Sequence, residues 1–217
     1  MNEQLTRTLE ERWNQYSDKY DVSHHGHLSE EDMTRWKLFL EAHIGKEKQK
    51  KVFDVGCGTG FLTIKIAALG YDCRGLDLSK GMLGIAENKA AEQGLNIEFL
   101  KGDVVDLPLP DASVDVVTNR SLLWTLLEPQ KALKEWLRVL KPGGKLLCFC
   151  SVGKSDHSCN HYDQEIEDML ELKGAPVSRF CSHLEQADFD EVEAVLLEGI
   201  KSRHGNSPWY VIKGRKV

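Results

Sequence analysis

Residues 52–60 read Val-Phe-Asp-Val-Gly-Cys-Gly-Thr-Gly. A short apolar run ends in glycines at alternate positions, Gly56, Gly58 and Gly60, and a helical pattern, Phe61 to Leu69, follows at once. Glycines in such a turn let the backbone approach a ligand closely, and the next helix presents unpaired N–H groups and the positive end of its dipole. A nucleotide-like ligand at the mouth of a sheet is implied. The dinucleotide spacing G-x-G-x-x-G fails here, because counting from Gly56 puts Phe61 where the third glycine belongs. A nicotinamide-dependent dehydrogenase is disfavoured on that ground. Asp77 ends the next apolar run about twenty residues beyond the turn, the distance at which an acid holds ribose hydroxyls. The pattern therefore implies a ribose and argues against a pyrophosphate.

Working outward, Tyr71 to Leu76 reads as a second strand and Ser79 to Gly94 as a capped helix. Asn96 to Leu100 and Val114 to Thr118 read as strands three and four. A helix opens with Pro129 in its first turn and runs to about Leu140. Pro142-Gly143-Gly144 ends it, and Lys145 to Ser151 forms strand five. Strand alternating with helix is the pattern of a doubly wound parallel sheet with helices on both faces. Beyond it lie a polar loop, one helix over Asp163 to Leu172, and two strands, Val192 to Ile200 and Trp209 to Lys213, joined through Gly-Asn-Ser-Pro. Upstream, Leu5, Leu9, Trp13, Tyr16 and Tyr20 form the stripe of an amphipathic helix. Ser29 with Asp32 is a capping box for a second helix bearing Met33, Trp36, Leu40 and Ile44, with Gly45 as its stop. The expected organisation is one α/β domain: a helical lid over 1–50, a ligand-binding core over 51–151, an insertion over 152–183, and a closing helix with antiparallel strands over 184–217.

With 217 residues the chain fits one generous core. Its 28 Lys plus Arg against 34 Asp plus Glu give a net charge of −6, without the basic excess that phosphate backbones attract. Nucleic acid and anionic membranes are disfavoured as partners. The longest apolar runs fall far below the ~20 residues that span a bilayer. Six cysteines without an apolar leader read as reduced thiols in the cytoplasm. Cys148 and Cys150, two apart in a strand, face one side as core thiols.

In its ordered motifs the sequence resembles the class I S-adenosylmethionine-dependent methyltransferases, in the small-molecule branch related to quinone biosynthesis, from about Trp13 onward. The resemblance implies a Rossmann-like, three-layer, doubly wound seven-stranded sheet in the order 3-2-1-4-5-7-6, with the last strand antiparallel. It also implies a cofactor, S-adenosylmethionine, with S-adenosylhomocysteine as product. Asp54, Gly56, Cys57, Gly58 and Gly60 would wrap the methionine part. Asp77 would bind the ribose, and Leu78 and Met82 would lie against adenine. Asp103 and the backbone of Val104 would read the adenine amino edge, Asn119 and Arg120 would lie beside the sulfonium and methionine portion, and Tyr20 would contact the carboxylate, with Tyr16 as second choice.

The acceptor side is sparser. His24, His25 and His27 sit in the joint of the lid, where a histidine could take a proton near neutral pH. His27 is the candidate base and His25 a candidate substrate contact, set against a plain hydrophilic joint. His157, Cys159 and His161 suggest zinc by spacing, but no Cys-x-x-Cys accompanies them, so no metal is expected. In the family such insertions line the acceptor pocket, which makes His157 and Tyr162 substrate candidates. Trp124 either walls that pocket or fills the core. The expected activity is methyl transfer to a small or medium organic acceptor by a monomer or homodimer. The alternatives are a non-catalytic cofactor-binding protein and a protein or RNA methyltransferase.

Overall fold

The computed structural model describes residues 3–25, 28–152, 162–200 and 207–217. Seven strands form one sheet: β1 (Lys51–Val55), β2 (Asp72–Asp77), β3 (Phe99–Lys101), β4 (Val114–Arg120), β5 (Leu140–Ser151), β6 (Asp190–Leu196) and β7 (Trp209–Arg215). Their order is β3-β2-β1-β4-β5-β7-β6. Pairing is parallel except at β7, which runs antiparallel to both β5 and β6. The reversal of order at β1 and β4 puts a crevice at their carboxyl ends, where open α/β sheets bind ligands.

Two apolar layers hold the helices to the sheet. On one face α2 (Glu30–Ile44) and α3 (Phe61–Ala68) bury Trp36, Leu40, Ile44, Leu62 and Ile66 against Val52, Val116, Leu147 and Phe149. On the other, α5 (Pro129–Val139) and α7 (Val177–Gln186) bury Leu133, Trp136, Phe180 and Leu184 against Phe53, Val117, Cys148 and Cys150. The strongly alternating α5 illustrates the cause: its apolar residues recur at helical spacing and all point to the sheet. Trp136 is fully buried and satisfies its N–H on the Val104 carbonyl at 2.9 Å. The capping box at α2 forms as its sequence implies: the Ser29 hydroxyl accepts from Asp32 N–H at 3.2 Å and the Asp32 carboxylate accepts from Ser29 N–H at 2.9 Å. Such a cap contributes about 1 kcal/mol.

Several boundaries differ from the sequence expectation. β3 begins at Phe99 rather than Asn96, because Leu95 N–H is spent closing α4 (Lys80–Glu92) on the Ala90 carbonyl at 2.9 Å. β5 starts five residues early, at Leu140. Its Pro-Gly-Gly stretch is tied into the sheet end by Gly143 N–H donating to Lys216 O at 2.7 Å and Lys216 N–H to Gly144 O at 3.0 Å. The helix expected over Asp163 to Leu172 shrinks to α6 (Gln164–Glu167). The Glu167 carboxylate accepts from Tyr162 N–H and from Lys173, and the intervening backbone continues in turns. The closing helix expected from 184 onward is α7, which begins at Val177 and straddles the expected boundary at 183/184; Phe180 and Leu184, four apart, are the stripe that marks it. β6 ends at Leu196 rather than Ile200, and β7 extends to Arg215.

Candidate active site

The glycine turn leaves β1 with Gly56, Gly58 and Gly60 all at positive φ, 62°, 54° and 80°. At Gly56 a Cβ would also lie 2.6 Å from a Leu122 methyl, so glycine is required there for both conformation and space. The turn is fastened from below. Cys57 N–H donates to Leu76 O at 2.9 Å, and the Asp77 carboxylate accepts from Gly58 N–H at 2.8 Å and from Ser79 N–H at 2.9 Å. Asp77 therefore ties the end of β2 to the turn and to the start of α4.

Asp54 is 1% exposed and accepts from the hydroxyls of Thr63, at 2.6 Å, and Thr118, at 3.0 Å. Burial pushes its carboxyl up to about 7, against the opposing pull of those hydroxyls. The acid thus fixes β1, β4 and α3 relative to one another at the floor of the crevice.

The roof is α1 (Glu3–His25), which lies across the turn and packs on α4. Asn14 Oδ1 accepts from the Ser79 hydroxyl at 2.7 Å and from Gly81 N–H at 2.9 Å, capping the start of α4 from another helix. Asp21 accepts from Thr59 Oγ1 at 2.7 Å, from His25 at 2.9 Å and from Lys89. The His25 bond, then Lys89 and Thr59, hold the Asp21 carboxyl well below the usual carboxylate range in spite of its burial. His25 Nε2 meets Arg120 Nη1 at 3.1 Å. A guanidinium only donates, so His25 accepts at Nε2 and carries its proton on Nδ1, toward Asp21. Burial foremost, and then Arg120, lowers the imidazole to about 3 against the Asp21 bond. His25 is a neutral link between lid and sheet.

Between roof and floor is a cavity of about 280 Å3, its open mouth included, lined by Tyr20, His25, Asp54, Gly56, Arg120 and Phe61 among others. Six residues expected around a ligand, Tyr20, Asp54, Gly56, Cys57, Gly58 and Arg120, line it together with His25. Tyr20 hydrogen-bonds Arg120, and burial raises its phenol. Gly60 sits at the start of α3 behind the turn.

Other expected residues lie elsewhere. The buried Met82 donates its backbone N–H to Ser79 Oγ within α4, and Leu78 follows Asp77 at the strand end. Asp103 accepts from Val105 N–H, and the Val104 carbonyl is taken by Trp136. The Asn119 side chain is 1% exposed and donates to Cys148 Sγ at 3.1 Å on the opposite face of the sheet from Arg120. Trp124 is 7% exposed within the core that α5 covers and does not line the cavity. Tyr162 accepts from Trp13 Nε1 at 2.7 Å, which joins the insertion to the lid. His27 and His157, with Cys159 and His161, lie outside the described residues. Sequence reasoning missed Asn14, Asp21 and Thr59. Asp21 adjoins Tyr20, but a carboxylate on a surface helix carries no mark of three distant donors.

Residues 53–148 match the family model described as a methyltransferase domain. The fold is that of the class I methyltransferases, and the matched segment makes the chain similar in sequence to methyltransferases. Among curated relatives, demethylmenaquinone methyltransferase of Renibacterium salmoninarum is 40% identical over 129 residues, covering 59% of this chain and 52% of that protein. The Thermus thermophilus enzyme of the same description is 40% identical over 115 residues, covering 52% of each. The chain spans about half the length of these relatives. Among solved structures the cyclase SpnF has a TM-score of 0.69 at 20% identity, covering 94% of this chain and 96% of that one. Haemonchus contortus phosphoethanolamine N-methyltransferase 2, in complex with S-adenosylhomocysteine, has a TM-score of 0.69 at 14% identity, covering 94% of this chain and 58% of that one. At such identities the structures share the fold with this chain, and the cyclase is a reminder that fold alone does not name a reaction.

Proposed function

We propose that the protein transfers a methyl group from S-adenosylmethionine to a small organic acceptor, releasing S-adenosylhomocysteine. The observation that carries this reading is the meeting of Tyr20, Asp54, Gly56, Cys57, Gly58 and Arg120 around one cavity at the carboxyl ends of β1 and β4. The residues fit the cofactor. The positive-φ glycine turn leaves room for a ligand beside the backbone, and Asp77 stands at the end of β2, where a ribose acid belongs. Leu78, Met82, Asp103 and Val104 are assigned to the adenine side.

When bound, the cofactor supplies an electrophilic methyl on a sulfonium. Methyl transfer would then be an in-line displacement at that carbon, with the sulfur leaving as a neutral thioether. Such an in-line displacement asks the protein mainly for position and exclusion of water. The glycine turn and Asp77 provide the first. α1, held down through Asn14 and Asp21, provides the second. His25 is held neutral by burial and Arg120, so the role assigned to it is contact with the acceptor rather than storage of a proton.

We place the reaction in the cytoplasm, in a monomer or homodimer. Among the described residues no helix is long and apolar enough to cross a membrane, and Cys57, Cys73, Cys148 and Cys150 are buried free thiols. The test is an untargeted metabolite screen with methyl-labelled cofactor. Label is expected in a small molecule and absent with Asp77→Ala. Label in acid-precipitable material would contradict the acceptor class, and a bound cofactor without any labelled product would contradict catalysis.

A further inference from the structure

Among the described residues, three hydrogen-bond donors that lie close together are buried without a partner: Arg120 Nε, Trp36 Nε1 and Trp209 Nε1. The two indoles meet edge to face with centroids 5.4 Å apart. The Arg120 guanidinium carbon lies 5.5 Å from the Trp36 ring centre and 4.9 Å from that of Trp209. A buried donor left unpaired costs about 1–3 kcal/mol, which makes three together exceptional. Indole and guanidinium N–H groups only donate, so the chemistry they call for is an acceptor.

Cations crowd the same place, with Asp54 as the acid that lines the cavity beside Arg120. Arg120 bonds neutral groups, His25 and Tyr20. Lys65, one turn along α3, reaches back over the Phe61 ring with its ammonium 3.8 Å from the centroid, and Arg120 lies 4.3 Å from the same ring. Burial, then Arg120 and Lys89, push the Lys65 ammonium down to about 7. Asp21 already accepts from His25, Thr59 and Lys89. Trp36 and Trp209, on α2 and β7, lie outside residues 53–148, so two of the three donors come from outside the segment matched to the methyltransferase family.

We propose that the methyl acceptor carries an oxyanion, a carboxylate or an ionised phenol, bound against Arg120 where α2, α3 and β7 meet, with Lys65 as second counter-charge. This rests on the methyl-transfer reading and assigns Arg120 to the acceptor instead of the cofactor. A cationic amine would meet Arg120 and Lys65 as like charges. An acceptor that arrives ionised also needs no proton removed by His25.

The test is heteronuclear NMR of the indole N–H groups in protein saturated with S-adenosylhomocysteine, with Trp36 and Trp209 assigned through Trp36→Phe and Trp209→Phe. Benzoate, benzamide and benzylamine at a pH below about 7, where Lys65 carries its charge, are the probes. Benzoate is expected to shift both signals and to bind at least about tenfold more tightly than benzamide or benzylamine, a difference of about 1.4 kcal/mol. Arg120→Gln is expected to abolish that preference, and Lys65→Met, which leaves the buried cluster intact, to reduce it about threefold, well under 1 kcal/mol. Equal response to anion and amine would overturn the proposal. So would benzoate shifts that vanish when S-adenosylhomocysteine saturates the protein, because Arg120 would then serve the cofactor's carboxylate. Absence of any response to S-adenosylhomocysteine itself would instead contradict the methyl-transfer reading.

Discussion

The floor and the roof of the cavity are built on different principles. Below, the glycine turn is fixed by backbone groups: Cys57 and Gly58 are bonded to β2, and Asp54 is locked between Thr63 and Thr118. Above, α1 is held to the turn and to α4 by two side chains, Asn14 and Asp21, whose four partners outside the helix span Thr59 to Lys89. A floor made of ladder bonds and buried side chains opens with the whole fold, whereas a roof held by a few side-chain contacts can open alone. The division suits the proposed methyl transfer, which would need to admit two ligands and then exclude water.

The largest expected effect is on the floor. Gly56→Ala combines a positive φ with overlap on Leu122, whereas Gly58→Ala has positive φ and nothing within 4 Å of the added Cβ. Left-handed backbone costs about 1–2 kcal/mol without glycine, and overpacking adds about 1–3 kcal/mol. Denaturant unfolding should therefore show Gly56→Ala losing clearly more stability than Gly58→Ala. Equal losses would remove Leu122 from the account. Next comes the roof: Asp21→Ala should cost about 1–3 kcal/mol and raise amide exchange along α1 while leaving β1 and β5 protected. Uniform loss of protection would mean that roof and floor unfold together.

The smallest effect separates the two regions by pH, at most about 1.4 kcal/mol per pH unit for each group. Asp54 is raised to about 7 in the fold. The unfolded chain therefore releases that proton first, and this group's contribution falls as pH rises from about 4 to 7. His25 is lowered to about 3. The unfolded chain takes up that proton first, and stability is lost as pH falls from about 6.5 toward 3. Subtracting the Asp54→Asn and His25→Gln stability profiles from the parent profile should give slopes of opposite sign between pH 4.5 and 6.5, about two units within both windows. Slopes of the same sign would contradict the two environments.

The floor was also the part legible in sequence. Gly56, Gly58 and Asp77 lie within one strand-turn-helix-strand unit, where backbone conformation dictates residue type and spacing, while the sheet order was implied by the family resemblance. The roof was legible as two helices and no further. The partners of Asp21 stand up to 68 residues away, and no local pattern reports a contact of that range. Trp124 and Asn119 show the converse: each follows or ends β4 near the crevice, but strand alternation and the turn at Leu123–Thr125 send both side chains into the core under α5. The start of α7 was placed at 184 instead of Val177, because Phe180 and Leu184 mark the helix only when seen against the sheet.

The most direct measurement of the central claim is calorimetric titration of S-adenosylhomocysteine into the folded parent protein and into Gly56→Ala. One site per chain is expected in the parent, with binding weakened at least about tenfold, about 1.4 kcal/mol, in the variant. No heat from the folded parent, or equal affinity in the two proteins, would contradict the assignment of the glycine turn as the cofactor site.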